Sequence, residues 1–379
     1  MWLWSINNKG AFWKSIWQFS KIKGNLKKPI INSKKEFIST TFFEKSKINF
    51  VENLIENNLK SKAISFYSEN KSERHYSWQE IRFETNKISN YFKKIGIKPK
   101  DRIVGVLPNI PETIISFLAT AKIGAIWSSC SADFGVNAVV ERFSQINPKI
   151  LIISDYYYYN NKKYNILKKI PSIIKKIKSI KKIIVIPYDT KKINYKSKIK
   201  YINWFEIKNL NSNRIYYKLF NFNHPLYILY TSGTTGKPKC IVHGAGGSLI
   251  QHLKEHKIHC NINEGDVVMY FTTCGWMMWN WMVSVLASQA RIVLFDGSPF
   301  YPKKTILFDI IKKEKITFFG TGAKYIDALK KNNINIKSQY KLDTLKTIAS
   351  TGSPLSQESF KYVYNKIKKK CSFVFYKRR

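Results

Sequence analysis

The stretch that most narrows what this chain can become runs from Leu226 to Lys239. Its first five residues, Leu226-Tyr-Ile-Leu-Tyr230, form a continuous apolar and aromatic run. A run of that length bounded by turn formers predicts a strand covered on both faces. The next nine residues hold two glycines, three threonines, one serine, one proline and two lysines, and a helix is expected over about 248–258. Such a loop suits a polyphosphate. Gly233 and Gly236 allow φ > 0 and let the backbone approach an anion. Backbone N–H groups and the hydroxyls of Thr231, Ser232, Thr234 and Thr235 donate to its oxygens, while Lys237 and Lys239 bring charge. Hydrogen bonds to a charged group contribute roughly 1.5–3 kcal/mol each, so four or five suffice for the triphosphate of a nucleotide. The common P-loop is excluded. It needs four residues between its first glycine and a Gly-Lys pair followed by Ser or Thr; here only Thr234 and Thr235 intervene, and Pro238 follows Lys237.

Around this loop the chain alternates strand and helix patterns, which predicts an α/β fold of two packed subdomains with mainly parallel sheets. The clearest unit is at 102–153: a strand at 102–107, a helix at 111–123 opened by Pro111, a strand at 125–129, a helix near 136–146 and a strand at 149–153. Further strands are expected at 63–67, 183–187, 267–271, 291–295, 316–320 and 347–350, with a helix after Ser356. Ser77 and Glu80 have capping-box spacing at the start of another helix. The expected domains are an N-terminal helical and extended segment at 1–60, a first α/β subdomain at 61–220 with a Lys-rich variable region at 155–215, a second at 221–366 carrying the phosphate loop, and a tail at 367–379. Phe12 with Ile16 and Trp13 with Trp17 give the first segment an apolar stripe at i, i+4 spacing. Packing against the main body is the expected use of that stripe; docking on a membrane surface is the alternative.

At 379 residues, with 44% hydrophobic and 15% aromatic residues, the chain is expected to be globular. A net charge of +41 invites a nucleic-acid reading. Lysine, isoleucine and asparagine are enriched throughout, however, as in a chain encoded by AT-rich DNA, and no nucleic-acid-reading motif accompanies the charge. No specific nucleic-acid partner is therefore expected. The five cysteines are scattered without a CxxC pair, which argues against a disulfide framework or structural zinc. The longest apolar stretch, 113–127, is interrupted by Lys122 and too short to span a bilayer. A cytoplasmic location is expected, and the pattern does not decide an oligomeric state.

The string 230–239 resembles the signature loop of the AMP-forming acyl-CoA synthetases, the adenylate-forming superfamily, with Cys240 where a Gly or Ala commonly ends the motif. Within it, Trp4-Ser5 with Phe12-Trp13, Pro108-Asn-Ile-Pro-Glu112, Ile123-Gly-Ala-Ile-Trp-Ser-Ser-Cys-Ser-Ala-Asp-Phe-Gly135, Phe271-Thr-Thr-Cys-Gly-Trp-Met-Met-Trp-Asn280 and Ser350-Thr-Gly-Ser-Pro354 resemble the acetoacetate–CoA ligases. That resemblance implies a two-step ligase using ATP, Mg2+, CoA and acetoacetate; a synthetase for acetate or another short acid is the alternative. It implies that 231–239 cradles the β- and γ-phosphates, that Gly352, Ser353 and Pro354 lie along the adenine, and that Trp276, Met277 and Met278 wall the acyl pocket. Met- and Trp-rich helical stripes also serve as plain core, and that reading stands beside the pocket. Lys162 is implied, weakly, as a contact of a CoA phosphate; one more solvated lysine is the plainer reading.

Two departures qualify the resemblance, and one competing pattern stands beside it. The family's Gly-Gly-Thr-Asp-like segment, its ribose aspartate and its small C-terminal lid domain with a catalytic lysine have no counterpart here, so no complete catalytic set is expected and little turnover. Residues after Lys368-Lys-Lys370 resemble nothing anticipated, which suggests an interrupted reading frame. Finally, His252-Leu-Lys-Glu-His256 matches a zinc-hydrolase pattern, H-x-x-E-H, but falls on the helix after the phosphate loop, and no metal site is expected there.

Overall fold

The structure, a computed structural model, describes residues 2–57, 59–189, 193, 200–208, 216–231 and 236–376. Sixteen strands form the two large sheets and one hairpin. Those of the first half are β1 (Lys62–Ser68), β2 (Glu73–Ser77), β3 (Arg102–Leu107), β4 (Ile126–Ser131), β5 (Ile150–Ser154), β6 (Tyr156–Tyr159), β7 (Lys162–Asn165) and β8 (Lys182–Ile186). The rest are β9 (Ile202–Asn203), β10 (Pro225–Tyr230), β11 (Cys240–Gly244), β12 (Val267–Tyr270), β13 (Arg291–Asp296), β14 (Phe318–Gly322), β15 (Thr347–Thr351) and β16 (Ser372–Tyr376).

Two seven-stranded sheets result. The first has the order β9-β8-β5-β3-β4-β10-β11 and the second β16-β15-β14-β12-β13-β1-β2. Every neighbouring pair is parallel except β10 with β11 and β1 with β2 at one edge of each sheet. The architecture is thus the expected pair of mainly parallel α/β units. Near-continuous apolar strands explain it, since both faces need cover: Ile103 and Leu107 face one core, and Val104 and Val106 face another.

Helices fill three layers. Between the sheets lie Phe50–Ile55, Trp78–Lys94, Pro111–Lys122, Ala245–Lys254 and Met277–Ser284, sharing one core with strand residues of both sheets. Helices Val136–Phe143 and Ile170–Lys176 cover the outer face of the first sheet. Helices Ile306–Lys313, Ala323–Lys331 and Gln357–Tyr362 cover the second. Every residue of Pro111–Lys122 is buried, with proline in its first turn where a missing N–H costs nothing. The capping box at Ser77 and Glu80 forms as expected. The N-terminal stripe also packs inward: Ile16 and Trp17 are buried, and Trp17 meets Phe43 and Phe222 at ring separations of 5.3 and 6.0 Å.

The chain order does not follow the sheets. A boundary at 220/221 would assign β1 and β2 to the first unit and β10 and β11 to the second. Hydrogen bonding puts β1 and β2 in the second sheet and β10 and β11 in the first. Residues 372–376, expected to lie in an unrelated tail, continue the second sheet as β16, in parallel register with β15. Among the described residues no helix is long and apolar enough to cross a membrane.

Candidate functional site

The phosphate-type loop leaves the carboxyl end of β10. It is closed at its base by a pairing that sequence reasoning missed: Tyr230 opposes Cys240, and Thr231 N–H donates to the Lys239 carbonyl at 3.1 Å. The loop therefore joins two antiparallel strands before the helix Ala245–Lys254 begins, where a loop running on to a helix near 248 was expected. Gln145 fixes its far side, donating from Nε2 to the Pro238 carbonyl at 2.9 Å. Gly236 has φ +142° with open space where a Cβ would stand, and Lys237 and Lys239 are exposed. Ser232, Gly233, Thr234 and Thr235 lie outside the described residues.

Under the loop, the Ser128 hydroxyl on β4 lies 2.8 Å from the Ile228 carbonyl and 3.3 Å from the Tyr230 hydroxyl. Burial holds the Tyr230 phenol well above its ordinary pKa, so it stays neutral.

The segment 271–276 connects the sheets. It follows β12 of the second sheet, and Phe271 N–H donates to the Gly320 carbonyl of β14 at 2.8 Å. Three residues on, the Cys274 thiol points at the Leu107 carbonyl of β3 at 3.0 Å, and Ser129 of β4 donates to the Cys274 carbonyl at 2.6 Å. A Cβ on Gly275 would stand 3.3 Å from Ser131 N, so glycine lets the segment lie flat on the end of β4. Burial pushes the Cys274 thiol up to about 12, which makes it a core group and no nucleophile.

The segment delivers Trp276 and Met277, 56% and 45% exposed, at the start of helix Met277–Ser284, whereas Met278 is buried in the inter-sheet core. Of the three residues expected at the pocket, two are thus exposed and the third packs into the inter-sheet core. Trp279, fully buried, donates from Nε1 to Asn109 Oδ1 at 2.9 Å and fixes the helix against the end of β3.

Gly352, Ser353 and Pro354 follow β15, with φ +97° at Gly352 and nothing near its Cα on the side-chain side. The carboxyl ends of β15, β14 and β12 neighbour one another, and 271–276 crosses from β12 to the ends of β3 and β4, beside β10; Gly352 follows β15, Trp276 follows the crossing segment and Thr231 follows β10. Carboxyl ends of parallel strands are where open α/β sheets bind ligands. Lys162 is exposed on β7, half of the hairpin β6–β7 that departs from the carboxyl end of β5.

Two charged residues without any motif also belong to this edge. Asp296, ending β13, accepts from Asn109 N–H at 3.2 Å and from the Tyr188 hydroxyl at 2.7 Å. Glu69, just after β1, accepts from the backbone N–H groups of Asn160, Asn161 and Ser298.

The H-x-x-E-H pair is a packing face. His252 Nδ1 lies 2.6 Å from Ser284 Oγ and His256 Nε2 lies 3.1 Å from the Trp281 carbonyl. Burial lowers His252 to about 3 and His256 well below its usual value, so both are neutral. Glu255 accepts from Trp281 Nε1 at 2.9 Å. Among the described residues, Glu73, His75 and Glu314 are the group spaced closely enough to share a cation. Their carboxylates already have partners: Glu314 binds Arg291 and Tyr67, and Glu73 binds Lys313 at 2.6 Å.

Residues 55–374 match the family described as AMP-binding enzyme. The match runs into the stretch after 367 that was expected to be unrelated. The chain is similar to the acetoacetyl-coenzyme A synthetase of Rhizobium meliloti (strain 1021), 41% identical over 369 residues. It is similar also to the acetoacetyl-CoA synthetase of Gallus gallus, 40% identical over 375 residues. In both cases 96% of this chain and 56% of the relative are covered. Among solved structures, acetoacetyl-CoA synthetase from Streptomyces lividans superposes with a TM-score of 0.92 at 28% identity, over 99% of this chain and 58% of that one. The chain thus spans little more than half the length of the relatives it matches.

Proposed function

The chain belongs to the AMP-binding enzyme family, and from that premise we propose that it is the nucleotide- and acid-binding part of an acetoacetate–CoA ligase. In the reaction a carboxylate oxygen of acetoacetate attacks the α-phosphorus of ATP, the bond to pyrophosphate breaks, and acetoacetyl-adenylate forms. The sulfur of CoA then attacks the acyl carbon and the bond to AMP breaks. Both steps build charge on oxygens that a positioned set of donors stabilises.

In this reading the loop 231–239 holds the β- and γ-phosphates, with Lys237 and Lys239 neutralising charge. Gly352, Ser353 and Pro354 lie along the adenine. Trp276 and Met277 flank the acid, and Lys162 meets a phosphate of CoA. Mg2+ would arrive with the triphosphate. The loop sequence offers lysines, hydroxyls and N–H groups but no carboxylate, so the ion is assigned to the phosphates and no protein ligand is named.

The observation that carries the reading is the segment 271–276. It carries Cys274 and Gly275 from the second sheet to β4, the strand beside the one that launches the loop, and Trp276 follows them in the chain. The identity of the acid rests on the names of the relatives.

The test is calorimetric titration with a non-hydrolysable ATP analogue, followed by titration of small acids one by one into that complex. Saturable binding lost in a Lys237→Ala, Lys239→Ala double variant, and tightest binding of acetoacetate among the acids, are expected. Failure to bind the analogue, or binding indifferent to both lysines, overturns the reading.

A further inference from the structure

The hairpin β6–β7 pairs four residues with four, and a free two-stranded ribbon of this size is marginal in water. Its two-residue turn is Asn160-Asn161, with φ of +53° and +63°, as a type I′ connection requires. The N–H groups of such a turn point outward and need acceptors.

Both find the same one. Asn160 N–H donates to Glu69 Oε2 and Asn161 N–H to Glu69 Oε1, each at 2.9 Å. Ser298 N–H adds a third bond to Oε2 at 2.7 Å, and Glu69 N–H donates to the Asp296 carbonyl at 3.0 Å. Glu69 is 5% exposed. It stands on the second sheet, and the hairpin it grips grows from the first. Gly297, at φ +132°, makes room for it, since a Cβ there would lie 2.7 Å from Glu69 Cβ. Bonds from N–H to an ionised carboxylate are among the stronger ones a buried site offers.

What the clamp orders is a basic, aromatic surface. Lys162 is exposed beside the turn, and Lys163 Nζ sits 3.4 Å from the centroid of the Tyr156 ring. Tyr157 and Tyr164 stack at 5.0 Å.

We propose that Glu69 is a positioning residue for the thiol substrate. By holding the turn at Asn160 and Asn161 it sets where Lys162 and Lys163 meet the phosphates of CoA, which rests on the reading of Lys162 given above. Glu69 itself touches no substrate.

The experiment compares the parent chain with Glu69→Gln and Lys162→Ala by amide hydrogen exchange and by titration with CoA and with a non-hydrolysable ATP analogue. Glu69→Gln keeps the shape but turns an amide NH2 toward backbone donors. It is expected to speed exchange at residues 160, 161 and 298 and to weaken CoA binding by about tenfold, leaving the ATP analogue unchanged. Unchanged exchange overturns the proposal. So does faster exchange with unaltered CoA affinity, and so does an equal loss for both ligands, which would mark a general structural role. Lys162→Ala separates the two readings. Loss of CoA affinity without faster exchange supports the assignment of Lys162, and unaltered CoA affinity removes that assignment without touching the exchange result for Glu69.

Discussion

The hydroxyl of Tyr188, just past the end of β8 in the first sheet, donates at 2.7 Å to the carboxylate of Asp296, which ends β13 in the second. Asn109 N–H donates to the other oxygen of that carboxylate at 3.2 Å. Even so, burial lifts the Asp296 carboxyl to about 6. In the unfolded chain an aspartate titrates at about 3.9. Between those values the folded state keeps a proton that the unfolded state has released, so this group's contribution to stability falls as pH rises from about 4 to about 6. Asp155 is raised to about 6 as well and acts in the same direction. Asp296→Asn should therefore gain on the parent by on the order of 1–3 kcal/mol between pH 4 and pH 7, because Asp155 contributes equally to both. Urea unfolding of the two proteins at a series of pH values checks this; a constant difference refutes it.

Lys237 and Lys239 stand in solvent on the loop, so their action on a triphosphate is electrostatic and screened. Each alanine substitution should weaken binding of an ATP analogue roughly tenfold at low salt, about 1.4 kcal/mol, and by less at high salt. Titration at two ionic strengths measures it.

The three residues at the start of helix Met277–Ser284 should separate into two kinds. Met278→Ala empties a buried place and should cost about 2–5 kcal/mol of stability. Trp276→Ala and Met277→Ala remove exposed side chains and should leave stability within about 0.5 kcal/mol. They should instead change which small acid binds best beside the ATP analogue, measured by titrating the acids one by one.

Arg291 binds Glu314, which the Tyr67 hydroxyl and Ser65 also reach. Burial is the largest single influence on the Glu314 carboxyl and pushes it up, but the Tyr67 hydrogen bond and Arg291 together outweigh it and hold the carboxyl below its ordinary range. Arg291→Met would leave a buried carboxylate without its cation and should cost about 3–5 kcal/mol, read from denaturant unfolding. Glu314→Gln should cost less, since the charge it leaves unpaired, Arg291, is the more exposed of the two partners.

Much of this was legible in the sequence, for definite reasons. Continuous apolar runs such as Arg102–Leu107 and Arg291–Asp296 marked the parallel strands, and Pro111 and Ser77 marked helix starts. The strand Cys240–Gly244 was missed because five residues of mixed polarity after a Gly-rich loop carry no clear period. The helix after it begins at Ala245, ahead of the expected start, although Gly246 and Gly247 argue locally against helix. Tertiary packing overrides that preference: a Cβ on Gly246 would meet the Phe222 ring at 2.2 Å. Glu69 and Asp296 had no motif at all. Their roles come from backbone N–H groups of residues far away in the chain, which no local pattern reports.

The interleaving of the chain between the two sheets bears on how it is made. Ile64 finds its partner Ile292 more than two hundred residues later, after the strands of the first sheet have been synthesised. Until residues 291–296 have been made, the strand of Phe66 has no partner on that edge, and the nascent polypeptide exposes it to association. For the same reason the stretch from 221 onward, expressed by itself, would present β13 as a bare edge and tend to associate with other copies.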